Sequence, residues 1–280
     1  MRRALSTHMF IRQRLGSAIL DRISHAGFRN VEMFCARQHL DYQNKNQVLD
    51  LAAWFAGNEM KLHSIHLPIY RDESWGKSGP QARLSITEPD KLRRIEAVDE
   101  IKRALELVES IPCAYAILHI GASDEMSSAK KLDAALWSIE HLRLFGRNRG
   151  VSLLLENTPN ELSTPENLNW IARELRFPDL GFCFDSGHAR MGGDPVAAWD
   201  LMAPHIHSTH LHDNDGVKDD HLFPGEGSID WDALHSAMHA TENSTNEFTW
   251  MMEIHDPSGK EDPVTHAWDL FEKWEAKVHT

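Results

Sequence analysis

Histidine and carboxylate residues dominate the chemistry that this sequence could perform. The chain of 280 residues contains 18 histidines, and histidine is the side chain that most often binds metals in proteins. Many of the candidates end a short apolar run or follow one directly. They are His8, Glu32, His66, His119, Glu156, Asp185 with His188, His210 with His212 and Asp213, and Glu253 with His255. One such histidine is usually a hydrogen-bonded structural residue, but so many buried charges need partners, and a bound cation is the simplest common partner.

The apolar runs that carry these residues are short and alternate with stretches of helical periodicity. Strands are predicted at 4–10, 28–35, 61–67, 114–120, 151–156, 180–185, 206–211 and 248–254. Helices are predicted at 15–23, 43–57, 89–110, 129–149 and 266–278, with others that begin near 164, after 194 and at 230. A long irregular loop is expected at 68–88, where Gly76, Gly79 and Pro80 interrupt the pattern.

Eight strand and helix units in about 250 residues predict an α/β protein with a (β/α)₈ TIM barrel. A doubly wound open sheet is the alternative, but no glycine-rich turn follows the first strand. No linker or change in composition divides the chain, so we expect a single domain over residues 1–280. In such barrels the chemistry lies at the carboxyl ends of the strands. The polar residues above would therefore meet at one mouth.

Composition limits the possible functions. Lys and Arg total 29 against 42 Asp and Glu, which gives a net charge of −13 and disfavours broad binding to nucleic acid. No apolar run approaches the ~18–20 residues of a membrane span, and none of signal-peptide length follows the basic N-terminus. Cys35, Cys113 and Cys183 form no C-x-x-C pair, so neither a disulfide framework nor a thiolate zinc site is indicated. We expect a cytoplasmic protein, and a homo-oligomer is possible.

Seven segments resemble the xylose-isomerase-like barrel superfamily, in strand order and over nearly the whole chain. They are LHSIHLP (62–68), AILHIGAS (116–123), LLLENTP (153–159), GFCFDSGHARM (181–191), STHLHDNDG (208–216), DDHLFPGEGSIDW (219–231) and MMEIH (251–255). That superfamily includes metal-dependent sugar isomerases and epimerases, and also the type IV apurinic endonucleases. The resemblance therefore implies a fold and a metal site more specifically than it implies a substrate.

The two branches imply overlapping ligand sets. The epimerase branch holds one divalent ion with residues that match Glu156, Asp185, His210 and Glu253. The endonuclease branch holds three zinc ions, and its set adds His66, His119, His188, Asp219 and His221. Epimerases usually carry an arginine at the position of His221, and the D-x-H arrangement with Asp219 favours metal. The resemblance therefore implies two or three ions, where a simple epimerase has one.

Each branch implies its own chemistry. In a sugar isomerase or epimerase, the ion chelates a carbonyl and the neighbouring hydroxyl and stabilises an enediolate. Glu156 and Glu253 would remove and return the proton, while His188 would bind a sugar hydroxyl or a second ion. In a zinc-dependent phosphodiester hydrolase, bridged ions would activate water. The imidazole and carboxylate set suits Zn²⁺ or Mn²⁺ and also Co²⁺ or Fe²⁺.

The substrate is the least determined feature. The loop after the seventh predicted strand is acidic, which favours a small, mostly neutral carbohydrate and disfavours a polyanion. Trp75 could stack on a sugar or pack on the barrel rim, and Arg190 is a candidate substrate contact. Glu32 is expected to orient a metal ligand or a substrate hydroxyl. Lyase chemistry on the same metal frame, or a pure binding role, are the remaining alternatives.

Overall fold

The computed structural model describes residues 1–123, 125–244, 247–255 and 262–278, and it contains a closed barrel of eight parallel strands. Each strand pairs with its neighbours in chain order, and the last pairs with the first. The strands are β1 (Arg2–Ser6), β2 (Asn30–Phe34), β3 (Lys61–His66), β4 (Tyr115–His119), β5 (Ser152–Glu156), β6 (Gly181–Asp185), β7 (Ile206–His210) and β8 (Thr249–Met252). The predicted TIM barrel is confirmed.

Helices follow the strands and cover the outside of the barrel. They are α1 (Ser17–His25), α2 (Lys45–Gly57), α3 (Lys91–Leu105), α4 (Ala129–Arg147), α5 (Pro165–Leu175), α6 (Ser186–Gly192), α7 (Pro195–Met202), α8 (Trp231–Ser244) and α9 (Pro263–Val278). Side-chain caps define several starts: Asp90 accepts a hydrogen bond from Arg93 N, and Ser128 accepts one from Lys131 N. In the described part of the chain, no helix has the length and apolarity to cross a membrane.

The core is a continuous apolar layer between the barrel and its helices. Its largest fully buried side chains include Trp199, Trp250, Phe182 and Phe184. A separate small cluster of Ile117, Leu154 and Cys183 fills the interior of the barrel. Cys183 was expected to pack in a buried strand, and burial raises the pKa of its thiol far above the ordinary value, so it stays protonated.

The structure differs from the predicted elements at three points near the mouth. The first strand ends at Ser6, whose hydroxyl accepts a hydrogen bond from His8 N and starts a 3₁₀ turn over Thr7–Phe10. The last strand ends at Met252, so Glu253 lies just beyond it. The short helix α6 was not predicted, because seven residues with two glycines carry no readable helical period.

Strand register brings polar residues into adjacent positions at the carboxyl end of the barrel. His119 is opposite Glu156, Asp185 is opposite His210, and Ser6 is opposite Glu32. Neighbouring strands lie about 4.7–4.9 Å apart in the hydrogen-bonding direction, so residues in register are close. The closed barrel therefore gathers side chains that are far apart in sequence.

Candidate active site

Four side chains from β5 to β8 meet at the centre of the mouth. Glu156, Asp185, His210 and Glu253 each offer one donor atom, and these atoms lie within 4.8 Å of one another. His210 Nδ1 lies 3.3 Å from Glu156 Oε2, 3.3 Å from Glu253 Oε2 and 4.0 Å from Asp185 Oδ2. None of the four side chains is more than 3% exposed.

Three polar atoms at this centre are not satisfied by hydrogen bonds. Among the described residues, neither carboxylate oxygen of Glu156 nor Nδ1 of His210 has a hydrogen-bond partner of acceptable geometry, although all three atoms are buried. Buried donors and acceptors are nearly always paired, and unpaired carboxylates are especially unfavourable. Several oxygens and an imidazole nitrogen that converge without bonding one another fit a shared divalent cation.

Two further groups of candidate ligands flank this centre. In the first, His66 Nε2 and His119 Nε2 lie 3.4 Å and 3.1 Å from Glu156 Oε2. Glu156 therefore belongs to both groups. In the second, His188 Nε2 and His221 Nε2 lie 3.1 Å and 3.2 Å from Asp219 Oδ2. The structure thus brings all nine residues predicted as metal ligands to one site.

His212 is a further site residue, one that the sequence analysis did not count among the nine predicted metal ligands. It forms a possible metal-binding group with Asp219 and His221, and its Nε2 lies 3.0 Å from Asp185 Oδ1. Its ring stacks on that of His221 with centroids 3.9 Å apart. The signal was present in the sequence, because His210 and His212 are two residues apart at a strand end, but the turn after β7 decides where the second ring points.

Local backbone geometry makes room for this arrangement. Asp185 caps α6 by accepting a hydrogen bond from His188 N at 2.7 Å, which aims the His188 side chain across the mouth. A Cβ at Gly187 would lie 2.0 Å from the His212 ring, so only glycine fits there. His221 has a φ of 48°, a left-handed conformation that is uncommon outside glycine and that concentrates at functional sites.

Hydrogen bonds to the far ring nitrogens fix the orientation of four histidines. The Nδ1 atoms of His66, His188 and His221 lie 2.8–3.0 Å from the backbone oxygens of Leu67, Asn157 and Glu253 respectively. His210 is oriented by Glu32, whose Oε1 lies 3.1 Å from its Nε2. Such partners direct the other nitrogen toward the site and set the tautomer.

Glu32 thus lies behind His210, fully buried, and its carboxylate also accepts hydrogen bonds from the hydroxyls of Ser6 and Ser64. This position fits the orienting role predicted for it, and it leaves direct contact with substrate to other residues. Asp213, at the end of the same β7 segment, accepts hydrogen bonds from Gly225 N, Ile229 N and Trp231 Nε1. Asp213 therefore holds the turn formed by the PGEG sequence at 224–227 in place.

Charge pairing perturbs the ionisation of the site strongly. Burial alone would raise the pKa of Glu156, but the imidazoles of His119 and His210 outweigh it and hold that pKa well below the ordinary value. At Glu253 burial prevails over its histidine neighbours, so its pKa is raised. Burial would lower the pKa of His221, yet Asp219 and Glu253 raise it to about 9.

A mouth cavity of about 200 Å³ lies beside this centre and is lined in part by His119, His188 and Asp219. Trp75 lines it and also packs on the rim, with its ring 5.2 Å from that of Phe34 and 5.0 Å from that of Tyr70. Arg190, by contrast, is not among the described residues that line the cavity. Its Nε donates a hydrogen bond to Ser228 Oγ at 2.9 Å. Arg190 therefore contacts a loop, and its contact with substrate stays a prediction.

Comparison with known proteins defines the family. The family model described as "Xylose isomerase-like TIM barrel" matches residues 20–273, which is most of the chain. This chain belongs to that family. The resemblance found in the strand-end motifs is therefore confirmed.

The curated relatives of this family member are distant and align in part. An uncharacterized protein of Sinorhizobium fredii is 27% identical over 66% of this chain and 65% of its own length. A fructoselysine 3-epimerase of Escherichia coli is 25% identical over 50% of this chain and 53% of its own length. The chain thus spans between about half and two thirds of these relatives.

Several solved structures match the fold over its full length. A D-tagatose 3-epimerase-like protein superposes with a TM-score of 0.80 at 20% identity and covers 100% of this chain and 98% of its own. The IolI protein, solved with a bound zinc atom, has a TM-score of 0.75 at 17% identity and covers 99% and 98%. A protein of Thermus thermophilus soaked with zinc chloride has a TM-score of 0.71 at 23% identity and covers 99% of both chains. At these identities the likeness establishes the fold alone.

Proposed function

We propose that this protein is a divalent-metal-dependent sugar isomerase or epimerase that moves a proton next to a carbonyl group. The observation that carries the proposal is the convergence of Glu156, Asp185, His210 and Glu253 at one buried point. Two of the four are glutamates on strands three apart in the barrel, and His210 Nδ1 lies 3.3 Å from a carboxylate oxygen of each. A base and an acid thus lie on either side of one position.

The comparisons support this choice of chemistry. One curated relative is a fructoselysine 3-epimerase, and one solved structure with the same fold is D-tagatose 3-epimerase-like. Two other neighbours in fold carry or were soaked with zinc. The donor set, which mixes imidazole and carboxylate, suits Zn²⁺ or Mn²⁺.

The site residues would act as metal ligands and as proton donors and acceptors. Glu156, Asp185, His210 and Glu253 would hold the ion, which when bound polarises a sugar carbonyl and acidifies the neighbouring C–H. A free carboxylate oxygen of Glu156 or Glu253 would take that proton, and the other glutamate would return one to the opposite face of the carbon. His188, between the centre and Asp219, would orient a sugar hydroxyl through its ring nitrogens.

The proposal is tested by proton exchange. Protein freed of metal and reloaded with Zn²⁺ or Mn²⁺ is incubated with a panel of ketohexoses in D₂O, and deuterium at the carbon beside the carbonyl is followed by NMR. We expect deuterium incorporation and a new epimer or isomer only in the metal-loaded sample. Absence of exchange from every ketose by fully loaded, folded protein would overturn the proposal.

A phosphodiester hydrolase is the second candidate, and a specific observation favours it. Glu156 is shared by the central group and by the His66 and His119 group, which is the arrangement of a carboxylate that bridges two ions. Against it, Arg83 is the single Lys or Arg among the described residues that line the mouth cavity. A duplex ligand requires many cationic contacts to phosphate.

Metal stoichiometry separates the two candidates. Elemental analysis of the wild-type chain and of a His221→Arg variant counts the ions in each. Two or three equivalents of zinc in the wild type, reduced in the variant, together with cleavage of DNA that carries an abasic site, would establish the hydrolase. One equivalent in both proteins, without cleavage, would exclude it.

A further inference from the structure

A groove of about 530 Å³ lies beside the mouth, between the segment after β5 and helices α6 and α7. Thr158, Pro159 and His188 line both this groove and the mouth cavity, so the two spaces share a wall. Apolar side chains form part of the remaining lining, next to polar ones. The apolar ones include Met126, Ala189, Met191, Ala197, Ala198 and Leu201.

Two of these apolar side chains are unusually exposed for their type. Met126 is 66% exposed and Leu201 is 45% exposed, and both belong to the small set of exposed large hydrophobic residues in the described chain. Exposed apolar surface that lines a concave space marks a ligand groove more often than a bare surface. The groove therefore suits an apolar group that reaches outward from the metal centre.

Four acidic side chains outnumber the single histidine, His188, in the described lining of the groove. Glu125, Glu161, Glu166 and Asp194 line it, and its described lining contains neither lysine nor arginine. Lys131 neutralises Glu125 at 3.0 Å. Glu166 is exposed in the first turn of α5, where its carboxylate faces the groove without a lysine or arginine in the lining. The local potential favours a cation over an anion.

Helix dipoles do not reverse this preference. Helices α5 and α7 both begin at the groove, but each has proline at its first position and so lacks that N–H donor. Thr164 already accepts from Asn167 N, and Asp194 accepts from Val196 N. In each helix one first-turn backbone donor is therefore absent and a second is occupied by the cap, which weakens the usual phosphate site of a helix start.

We propose that the substrate is a sugar conjugate whose second moiety, an apolar chain that carries a positive charge, lies in this groove while the sugar lies at the metal centre. This inference rests on the proposed sugar chemistry and names its substrate class. The mouth cavity of about 200 Å³ is smaller than the ~300–1,000 Å³ of most small-molecule sites, and the groove supplies the missing volume. A terminal phosphate or carboxylate would lie close to the carboxylates of the groove lining.

The test uses one sugar with different tails. Free D-fructose is compared with 1-amino-1-deoxy-D-fructose that carries a hexyl, a 6-aminohexyl or a 5-carboxypentyl chain on its nitrogen. Turnover is followed by deuterium exchange and binding by calorimetry, both on Zn²⁺-loaded protein. We expect kcat/KM to be about tenfold higher for the aminohexyl than for the carboxypentyl compound, with the hexyl compound between them.

Two variant pairs assign the effect to the groove. Ala197→Trp fills it and is expected to lower kcat/KM for the aminohexyl compound at least tenfold relative to Ala240→Trp, an exposed alanine on α8 outside the groove. Glu166→Lys is expected to reduce the ratio of kcat/KM for the aminohexyl compound to that for the carboxypentyl compound about two- to fivefold. The effect is small because one exposed charge contributes little. Glu174→Lys, on the same helix but outside the lining, is expected to leave that ratio unchanged.

The outcomes separate this inference from the proposed function. Deuterium exchange into all four compounds at equal kcat/KM, with no effect of Ala197→Trp, would overturn the proposed role of the groove. It would still support the proposed sugar chemistry. Tight, groove-dependent binding of the aminohexyl compound without exchange would support the groove and count against the sugar chemistry. Neither binding nor exchange would overturn both.

Discussion

His188 at the mouth and two histidines near the amino ends of the strands behave in opposite ways. At the mouth, burial would lower the pKa of His188, but Asp185 and Asp219 raise it well above the ordinary value. Toward the amino ends of the strands, His63 and His207 flank Tyr115, with ring centroids 5.2 Å and 5.6 Å from its ring. There burial prevails, lowering the pKa of His63 to about 4 and that of His207 below its ordinary value.

The two ends therefore use the same residue type for different purposes. Imidazoles beside buried carboxylates form a charged centre that a cation completes, whereas imidazoles without such partners stay neutral and pack against aromatic rings. The number of histidines in the sequence does not distinguish the two roles. The carboxylates that accompany them do.

The largest expected effect comes from removing the carboxylate shared by two groups at the mouth. Glu156→Gln should lower kcat about a thousandfold or more, because one change removes a metal ligand and a proton carrier. Circular dichroism should show an intact barrel. Glu100→Gln is the matched control, since Glu100 is buried away from the mouth and accepts from Tyr42 Oη. Near-wild-type turnover by the Glu156 variant would contradict the assignment.

Lower pH should reveal the neutral histidines outside the mouth. Burial lowers the pKa of His39 and of His63 to about 4, so between pH 6.5 and 4 the unfolded chain binds more protons than the folded chain. The contribution of the two neutral histidines to the free energy of unfolding is complete above pH 6.5 and is lost on acidification. Each should remove about 2 kcal/mol from the free energy of unfolding between pH 7 and 5.

Urea unfolding of the wild type and a His39→Gln variant at both pH values measures this loss. We expect the free energy of unfolding of the variant to fall less on acidification than that of the wild type, by about the same 2 kcal/mol. An identical fall in the two proteins would show that folding does not lower the pKa of His39.

Substitution of Glu32, which lies behind His210, should have a smaller effect than substitution of Glu156. Glu32→Gln leaves every candidate ligand in place but weakens the hold on His210 Nε2, so metal affinity should fall about 10- to 100-fold. Competition with a chelator measures the affinity, and the Glu100→Gln protein again serves as reference. Unchanged affinity would leave Glu32 a purely structural residue.

The smallest expected effect is steric. Gly187→Ala forces a methyl group against the His212 ring and should reduce stability by about 1–3 kcal/mol. Gly192→Ala, on the same helix with no atom within 4 Å of the added Cβ, should be neutral or slightly stabilising. Thermal unfolding of the two proteins side by side measures the difference. Equal midpoints would show that His212 moves aside freely.

Much of the fold and of the candidate site could be predicted from sequence. The alternation of short apolar runs with helical periods fixes eight units, and the barrel rule places Glu156, Asp185 and His210 at one end. The arrangement of the segment after β7 was harder to predict from the sequence. The left-handed turn at His221 and the room that Gly187 leaves for His212 depend on contacts between loops that no local pattern encodes.

The sequence by itself determined the barrel, the family and the residue types at the strand ends, because strand and helix periods are local properties of the chain. The tertiary structure alone decided which donor atoms share a point, that Glu32 lies behind His210, and that an acidic, partly apolar groove adjoins the mouth. These properties depend on strand register and loop packing between residues distant in the chain. Distances of 3–4 Å between such residues arise only when the barrel closes.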